Sequence, residues 1–148
     1  MKILMLLRHA KAVPEHAGGD FTRPLAPRGI QQMQQVAAAF QAQNWKPQLT
    51  LVSAATRTLQ TARLLEANLG DLNIISDRVL YLAAACQLLD VLAATPPEIE
   101  RLMLVGHNPG ISDLAARLTG NLEHSDLPTA GFMTCQLDIP DWQSIQHL

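Results

Sequence analysis

Three features of the chain predict an α/β fold, a single-domain three-layer arrangement with a mostly parallel central sheet flanked by helices. Short apolar runs recur at 3–7, 49–52, 72–75, 102–105 and 132–137, and the first has no polar alternation, as in strands buried on both faces. Segments with apolar residues at helical spacing separate most of these runs, so strands alternate with helices. The 148 residues are 48% hydrophobic, enough for one core-forming domain spanning 1–148, with no repeat, linker or low-complexity tract.

The first strand, Ile3 to Leu7, ends abruptly at Arg8-His9. From Ala12 to Ala26 the chain is loop-like, carrying Pro14, Gly18, Gly19 and Pro24, and is long for a strand-to-helix connection. Pro27 suits the first turn of a helix whose apolar face is Ile30, Met33, Val36, Ala37 and Phe40, with an exit at Pro47. A second strand over 49–52 leads into Ser53 to Arg57. The next helix, with Leu59, Ala62, Leu65 and Leu69 inward, stops at Gly70. A third strand is expected over 72–75, with Val79 to Leu82 continuing extended, then a helix from about Cys86 to Ala94 ending at Pro96-Pro97. The fourth strand, 102–105, stops at Gly106-His107-Asn108-Pro109-Gly110. Asn108 or Ser112 is a candidate cap for a helix striped by Ile111, Leu114, Ala115 and Leu118 and closed by Gly120. A last strand runs from Phe132 to Leu137.

Composition narrows the function. Eleven basic against 13 acidic side chains give a formal charge of −2 and no basic footprint for nucleic acid. No segment has the length of a membrane span, and the apolar run before Arg8 is too short for a signal-peptide core, so the cytoplasm is the expected compartment. Cys86 and Cys135 lack metal-site spacing and are expected to be small buried hydrophobes.

Three strands end in polar residues of matching type: Arg8-His9, Ser53 through Arg57, and His107. In open α/β sheets ligands bind past the carboxyl ends of the strands. If these ends are parallel and adjacent, two arginines and two histidines meet at one edge with no carboxylate among them, a pocket for a dianion such as phosphate. Helix starts after Ser53 and Gly106 would add backbone N–H groups. Any one of these residues could instead serve a surface ion pair or a core hydrogen bond, but that leaves their common placement after strands unexplained.

Leu7-Arg8-His9-Ala10, Ser53-x-x-x-Arg57-x-x-Gln60-Thr61-Ala62 and Val105-Gly106-His107-Asn108-Pro109-Gly110, in that order, resemble the histidine phosphatase (phosphoglycerate-mutase-like) superfamily. The short length and the Arg-His-Ala-Lys form resemble its SixA-type phosphohistidine phosphatases. The resemblance implies a phosphoglycerate-mutase-like fold, His9 as the nucleophile that takes up the phosphoryl group, Arg8 and Arg57 as phosphate clamps, and His107 as the second histidine of the pocket. It implies no metal or other cofactor, because arginines supply the positive charge. A neutral imidazole is a competent nucleophile near pH 7, and grouped cations favour that neutral form.

One departure from the family pattern concerns the proton donor. Larger members place a carboxylate shortly after the third strand, where this chain reads Val79-Leu80-Tyr81-Leu82-Ala83-Ala84-Ala85-Cys86. Asp20 and Arg23, in the loop after His9, are the candidates for a proton donor or substrate contact, Asp20 being the nearby acid, and capping or pairing with Arg23 is the other expected role of Asp20. Without a dedicated acid and without enclosing insertions, the expected substrate is a phosphohistidine on a partner protein, such as a phosphotransfer or phosphorelay domain. A phosphatase for small phosphate esters and a non-catalytic phosphate-binding module are the alternatives. Neither nucleic acid nor membrane is an expected partner.

Overall fold

A computed structural model of the chain describes residues 1–121 and 126–148. Five strands, β1 (Lys2–Arg8), β2 (Leu49–Ser53), β3 (Ile74–Asp77), β4 (Arg101–Gly106) and β5 (Phe132–Leu137), form one sheet in the order β3-β2-β4-β1-β5. All neighbours are parallel except β1 and β5, which are antiparallel. Four helices, α1 (Pro27–Gln43), α2 (Thr56–Leu69), α3 (Ala85–Ala93) and α4 (Gly110–Thr119), cover the two faces. No helix among the described residues is long and apolar enough to cross a membrane.

Strand alternation divides the core in two. Leu4, Leu6, Leu51, Leu102 and Leu104 point to one face and pack with α3, α4 and the chain end, where Trp142 is completely buried and donates Nε1–H to the Ile99 carbonyl at 2.7 Å. Met5, Leu7, Val52, Met103 and Val105 point to the other face against α1 and α2, around Met33, Phe40, Ala62 and Leu65. Successive residues of one strand thus serve opposite cores, so central strands covered on both faces carry unbroken apolar runs.

The register of the three inner strands positions the site. Leu7 pairs with Val105 and Arg8 with Gly106, while Val52 also pairs with Val105. Ser53 therefore ends its strand level with Arg8 and Gly106, His9 and His107 follow one residue on, and the His9 N–H donates to the Gly106 carbonyl at 3.2 Å. The long loop after β1 is clasped to the sheet end by the Ala12–Leu25 bridge, by Ala26 N–H to the Lys11 carbonyl (2.8 Å) and by Leu25 N–H to Gln60 Oε1 (2.7 Å).

Several local expectations are corrected. The third strand is 74–77, not 72–75. Leu72 is buried ahead of it, with its N–H held by Glu66 Oε2 at 3.0 Å. The chain over 79–82 is not extended: Asp77 caps a 3₁₀ turn at Arg78–Leu80, and Leu82 takes a positive φ of 50°. Neither Asn108 nor Ser112 caps α4, whose N-cap is Pro109; the two side chains bond to each other, and the Ser112 hydroxyl also accepts the Leu127 N–H at 2.9 Å. Ile30 lies on the outside of α1, and Cys86 is exposed on the first turn of α3, whereas Cys135 is buried.

Gly110 opens α4 at a point where its Cα faces the Ala83 carbonyl, and a Cβ there would overlap that oxygen. Gly106, by contrast, would meet only Ile111 Cδ1 at 3.8 Å. Gly110→Ala should therefore lower stability by about 1–3 kcal/mol in urea unfolding, because backbone on both sides must give, whereas Gly106→Ala should be nearly silent. Equal midpoints for the two variants would show that α4 and the 80–84 segment are not packed so closely.

Candidate active site

A cleft of about 370 Å³ opens at the carboxyl edge of the sheet, and Arg8, His9, Asp20, Arg23, Arg57 and His107 all line it. The four strand-end residues singled out from the sequence are thus brought together, with the loop pair Asp20 and Arg23 beside them. His9 and His107 are adjacent, their ring centroids 5.4 Å apart, and both are buried.

The tautomer of His9 follows from its neighbour. Nδ1 lies 2.7 Å from the Ala10 carbonyl oxygen, which only accepts, so Nδ1 carries the proton and the neutral ring has its lone pair on Nε2. His107 is fixed through the other nitrogen: Nε2 lies 2.7 Å from Ser53 Oγ, which also receives the Ala55 N–H at 3.4 Å. The Ser53 hydroxyl thus anchors Nε2, and the other ring nitrogen, Nδ1, is buried without a partner. Burial, and then the nearby Arg57, Arg8 and Arg23 charges, lower the His9 pKa to about 4 against the pull of the Ala10 carbonyl. The same causes, burial first and then Arg57, lower His107 to about 3. Both rings are neutral near pH 7.

The two arginines share one pattern. Arg57, 2% exposed, is held from its far end by Asp20, Nη1 donating to the backbone carbonyl (2.8 Å) and Nη2 to Oδ2 (3.2 Å). Arg8 Nη1 donates to the Leu127 carbonyl at 3.0 Å. In each case Nε is buried and unpartnered, so the side-on fork of Nε and Nη2 keeps donors free. Among the described residues five buried side-chain polar atoms lack a partner, and three of them belong to Arg8, Arg57 and His107. Unpaired buried donors are costly, about 1–3 kcal/mol each, and their grouping here suits an incoming oxyanion.

Asp20 is the internal counter-charge. It pairs with Arg23 Nε at 3.0 Å as well as with Arg57, and accepts the Tyr81 hydroxyl. The Tyr81 hydrogen bond, then the Arg23 and Arg57 contacts, hold its carboxyl well below the usual carboxylate range. Asp20 is therefore ionised near neutrality and has no proton to donate. The same hydrogen bond pushes the Tyr81 hydroxyl up.

Sequence reasoning missed Tyr81, which packs edge-on against both Phe21 (4.9 Å) and His107 (5.5 Å) and joins the third-strand segment to the site. No spacing rule pointed to it, because its role depends on a loop 61 residues away. The motif around α2 acquires a structural meaning: Gln60 holds Leu25, Thr61 Oγ1 accepts the Ala10 N–H at 3.0 Å, and Ala62 is wholly buried. Among the described residues no group of three or more His, Cys, Asp or Glu side chains is placed to hold a metal ion.

The lowered histidines fix the sign of a pH dependence. In the unfolded chain each would titrate near 6.5, so below that pH the unfolded state binds protons that the native state does not. Stability should fall as pH drops from about 6.5 towards 4, and urea midpoints across that range should show it. His9→Ala and His107→Ala should each flatten the profile; a wild-type slope retained in both would show that these rings titrate normally.

The profile of the histidine phosphatase superfamily (branch 1) matches residues 4–81. Among solved structures, a candidate phosphohistidine phosphatase SixA from Agrobacterium tumefaciens superposes with a TM-score of 0.84 at 31% identity, over 90% of each chain. The protein histidine phosphatase SixA in complex with tungstate gives 0.80 at 21% identity, over 97% of this chain and 90% of that one. An uncharacterised chloroplastic protein of Arabidopsis thaliana is 31% identical over 128 residues, 79% of this chain, which spans only 59% of that relative's length. With the sheet order, the cleft and these matches in agreement, the chain belongs to the histidine phosphatase superfamily, branch 1.

Proposed function

We propose that this phosphatase removes the phosphoryl group from a phosphohistidine on another protein, by way of a transient phosphohistidine at its own His9. The carrying observation is the grouping of three unpartnered buried nitrogens, Arg8 Nε, Arg57 Nε and His107 Nδ1, on residues that line a cleft also holding the His9 ring. In the first step His9 Nε2 attacks phosphorus and the P–N bond of the substrate breaks. The leaving ring, protonated by solvent on its other nitrogen, departs as neutral imidazole. Water then cleaves the His9 P–N bond, releasing inorganic phosphate and the free ring. The two guanidinium forks and His107 hold the phosphoryl oxygens and offset the charge spreading over them.

The ionised state of Asp20 favours this substrate class. An alkyl phosphate must expel an alkoxide, and among the described residues the carboxyl that lines the cleft, Asp20, is ionised and cannot assist. Phosphohistidine needs no such donor, and a phosphotransfer or phosphorelay domain carrying one would be a suitable partner.

Phosphate release from a phosphohistidine-bearing phosphotransfer domain should exceed release from a sugar phosphate by about 10²–10⁴-fold in kcat/KM, the range a missing general acid accounts for. Comparable rates would point to a small-ester phosphatase, and vanadate binding without turnover to a binding module. Brief reaction should label the wild type with phosphate that is lost in acid and survives alkali. His9→Ala should fold, take no label and turn nothing over; an acid-stable label or an active alanine variant removes His9 from the nucleophile's role.

Arg57→Ala should weaken vanadate binding in calorimetric titration by about 10–150-fold, corresponding to about 1.5–3 kcal/mol for charge-assisted hydrogen bonds. Arg57→Lys should not restore it, because an ammonium lacks the planar fork. Arg28→Ala, on the exposed first turn of α1, should bind as the wild type does. Unchanged affinity in the Arg57 variants would dissociate the second strand end from the pocket.

A further inference from the structure

We propose that Leu82 is a specificity-determining residue, whose side chain packs against the imidazole ring of an incoming phosphohistidine at the mouth of the cleft. The inference rests on the reading of the site as a phosphohistidine phosphatase and names the contact that recognises the ring rather than the phosphoryl group.

Two observations single this residue out. Among the described residues, and apart from Ala12, which is 6% exposed, Leu82 is the only aliphatic side chain lining the cleft, and it is 53% exposed. Its backbone has a φ of 50°, a region that suits glycine or asparagine and that a branched side chain occupies at a cost. Asn44 and Asn73, with similar φ values, are residues that tolerate it. Leu82 nonetheless stays more than half exposed, and the conformation is held from either side. On one side the Tyr81 hydroxyl is bound to Asp20 and its ring lies against Phe21 and His107. On the other, the Ala83 carbonyl is seated against Gly110, with Ala83 N–H on the Leu80 carbonyl at 3.4 Å. Strain held in place by surrounding packing and spent on an exposed side chain beside reactive groups is the pattern of a functional contact.

The chemistry of the substrate supplies the occupant. The phosphoryl oxygens are met by arginine and histidine donors, which treat every phosphate alike. A phosphohistidine differs in carrying a flat ring bonded directly to phosphorus, whose faces are apolar and whose position is fixed once the phosphoryl group is seated. Packing that ring against Leu82 removes apolar surface of both from water. Phosphoramidate has the same P–N bond with no ring, and so separates the two kinds of recognition.

Leu82→Gly and Leu82→Ala test the assignment against wild type with three probes: a phosphohistidine-bearing phosphotransfer domain, phosphoramidate and vanadate. Glycine adopts the φ of 50° freely, so Leu82→Gly should melt no lower than wild type. Both variants should keep phosphoramidate turnover and vanadate affinity within about twofold, yet lose at least about fivefold in kcat/KM on phosphohistidine, chiefly through KM. Unchanged phosphohistidine kinetics in either variant would overturn the proposal. So would a parallel fall for all three probes, which would make Leu82 a prop of the site rather than a reader of the ring. A wild type that prefers a sugar phosphate to phosphohistidine would instead overturn the underlying functional reading and this assignment with it.

Discussion

Two arginines and two histidines are crowded against one another at the end of a buried sheet, and most of the local structure is a response to that crowding. Cations drawn together in a partly dry environment repel, and burial penalises every charged form. The histidines answer by remaining neutral, with pKa values lowered to about 4 and 3. The arginines cannot deprotonate, so each is tied by protein oxygen atoms at Nη1, Arg57 to Asp20 and Arg8 to Leu127. Asp20 provides a single negative charge where two guanidinium groups, those of Arg23 and Arg57, reach it.

That partial compensation leaves the site unfinished in a useful direction. Fully paired arginines would make a stable but inert cluster. Here the far end of Arg57 is occupied while its Nε remains unpaired, and Arg8 repeats the arrangement. The free energy withheld from folding in this way is available to a dianion, whose oxygens meet donors already oriented. The fixed tautomer of His9 belongs to the same economy of motion, because the lone pair is on Nε2 before anything binds.

Segments distant in sequence are recruited to hold these few groups. The loop after β1 supplies Asp20 and Arg23 and is clasped by Gln60 from α2. The connection after β3 supplies Tyr81 and is wedged against Gly110 at the start of α4. The second histidine stands on Ser53 at the end of β2. Small residues such as Gly110 matter here through the space they leave for neighbouring backbone rather than through any chemistry of their own.

The amino-acid sequence by itself determined the layers, the strand count and the three polar strand ends, because burial on two faces writes an unbroken apolar run and a helix writes a 3.6-residue stripe. It also carried the motif that names the family, since Arg8-His9, Ser53 through Ala62 and His107 are contiguous short stretches. Local signals were weaker where two elements competed: Val79 to Leu82 reads as extended by composition, but Asp77 caps a turn there and the packing of Tyr81 and Ala83 forces Leu82 to a positive φ. Ile30 and Cys86 fit an apolar pattern and yet face outward, because periodicity gives a stripe but not its edges. What only the tertiary structure decided is which atoms remain free. The bonding of Asp20 to Arg57 and Tyr81 depends on distances between residues tens of positions apart, the His9 proton on how its ring turns onto the neighbouring Ala10 carbonyl, and the unpaired Nε atoms on what surrounds them once buried. Hydrogen bonds and pKa shifts are set by those distances and by burial, and neither takes its native value until the chain has folded.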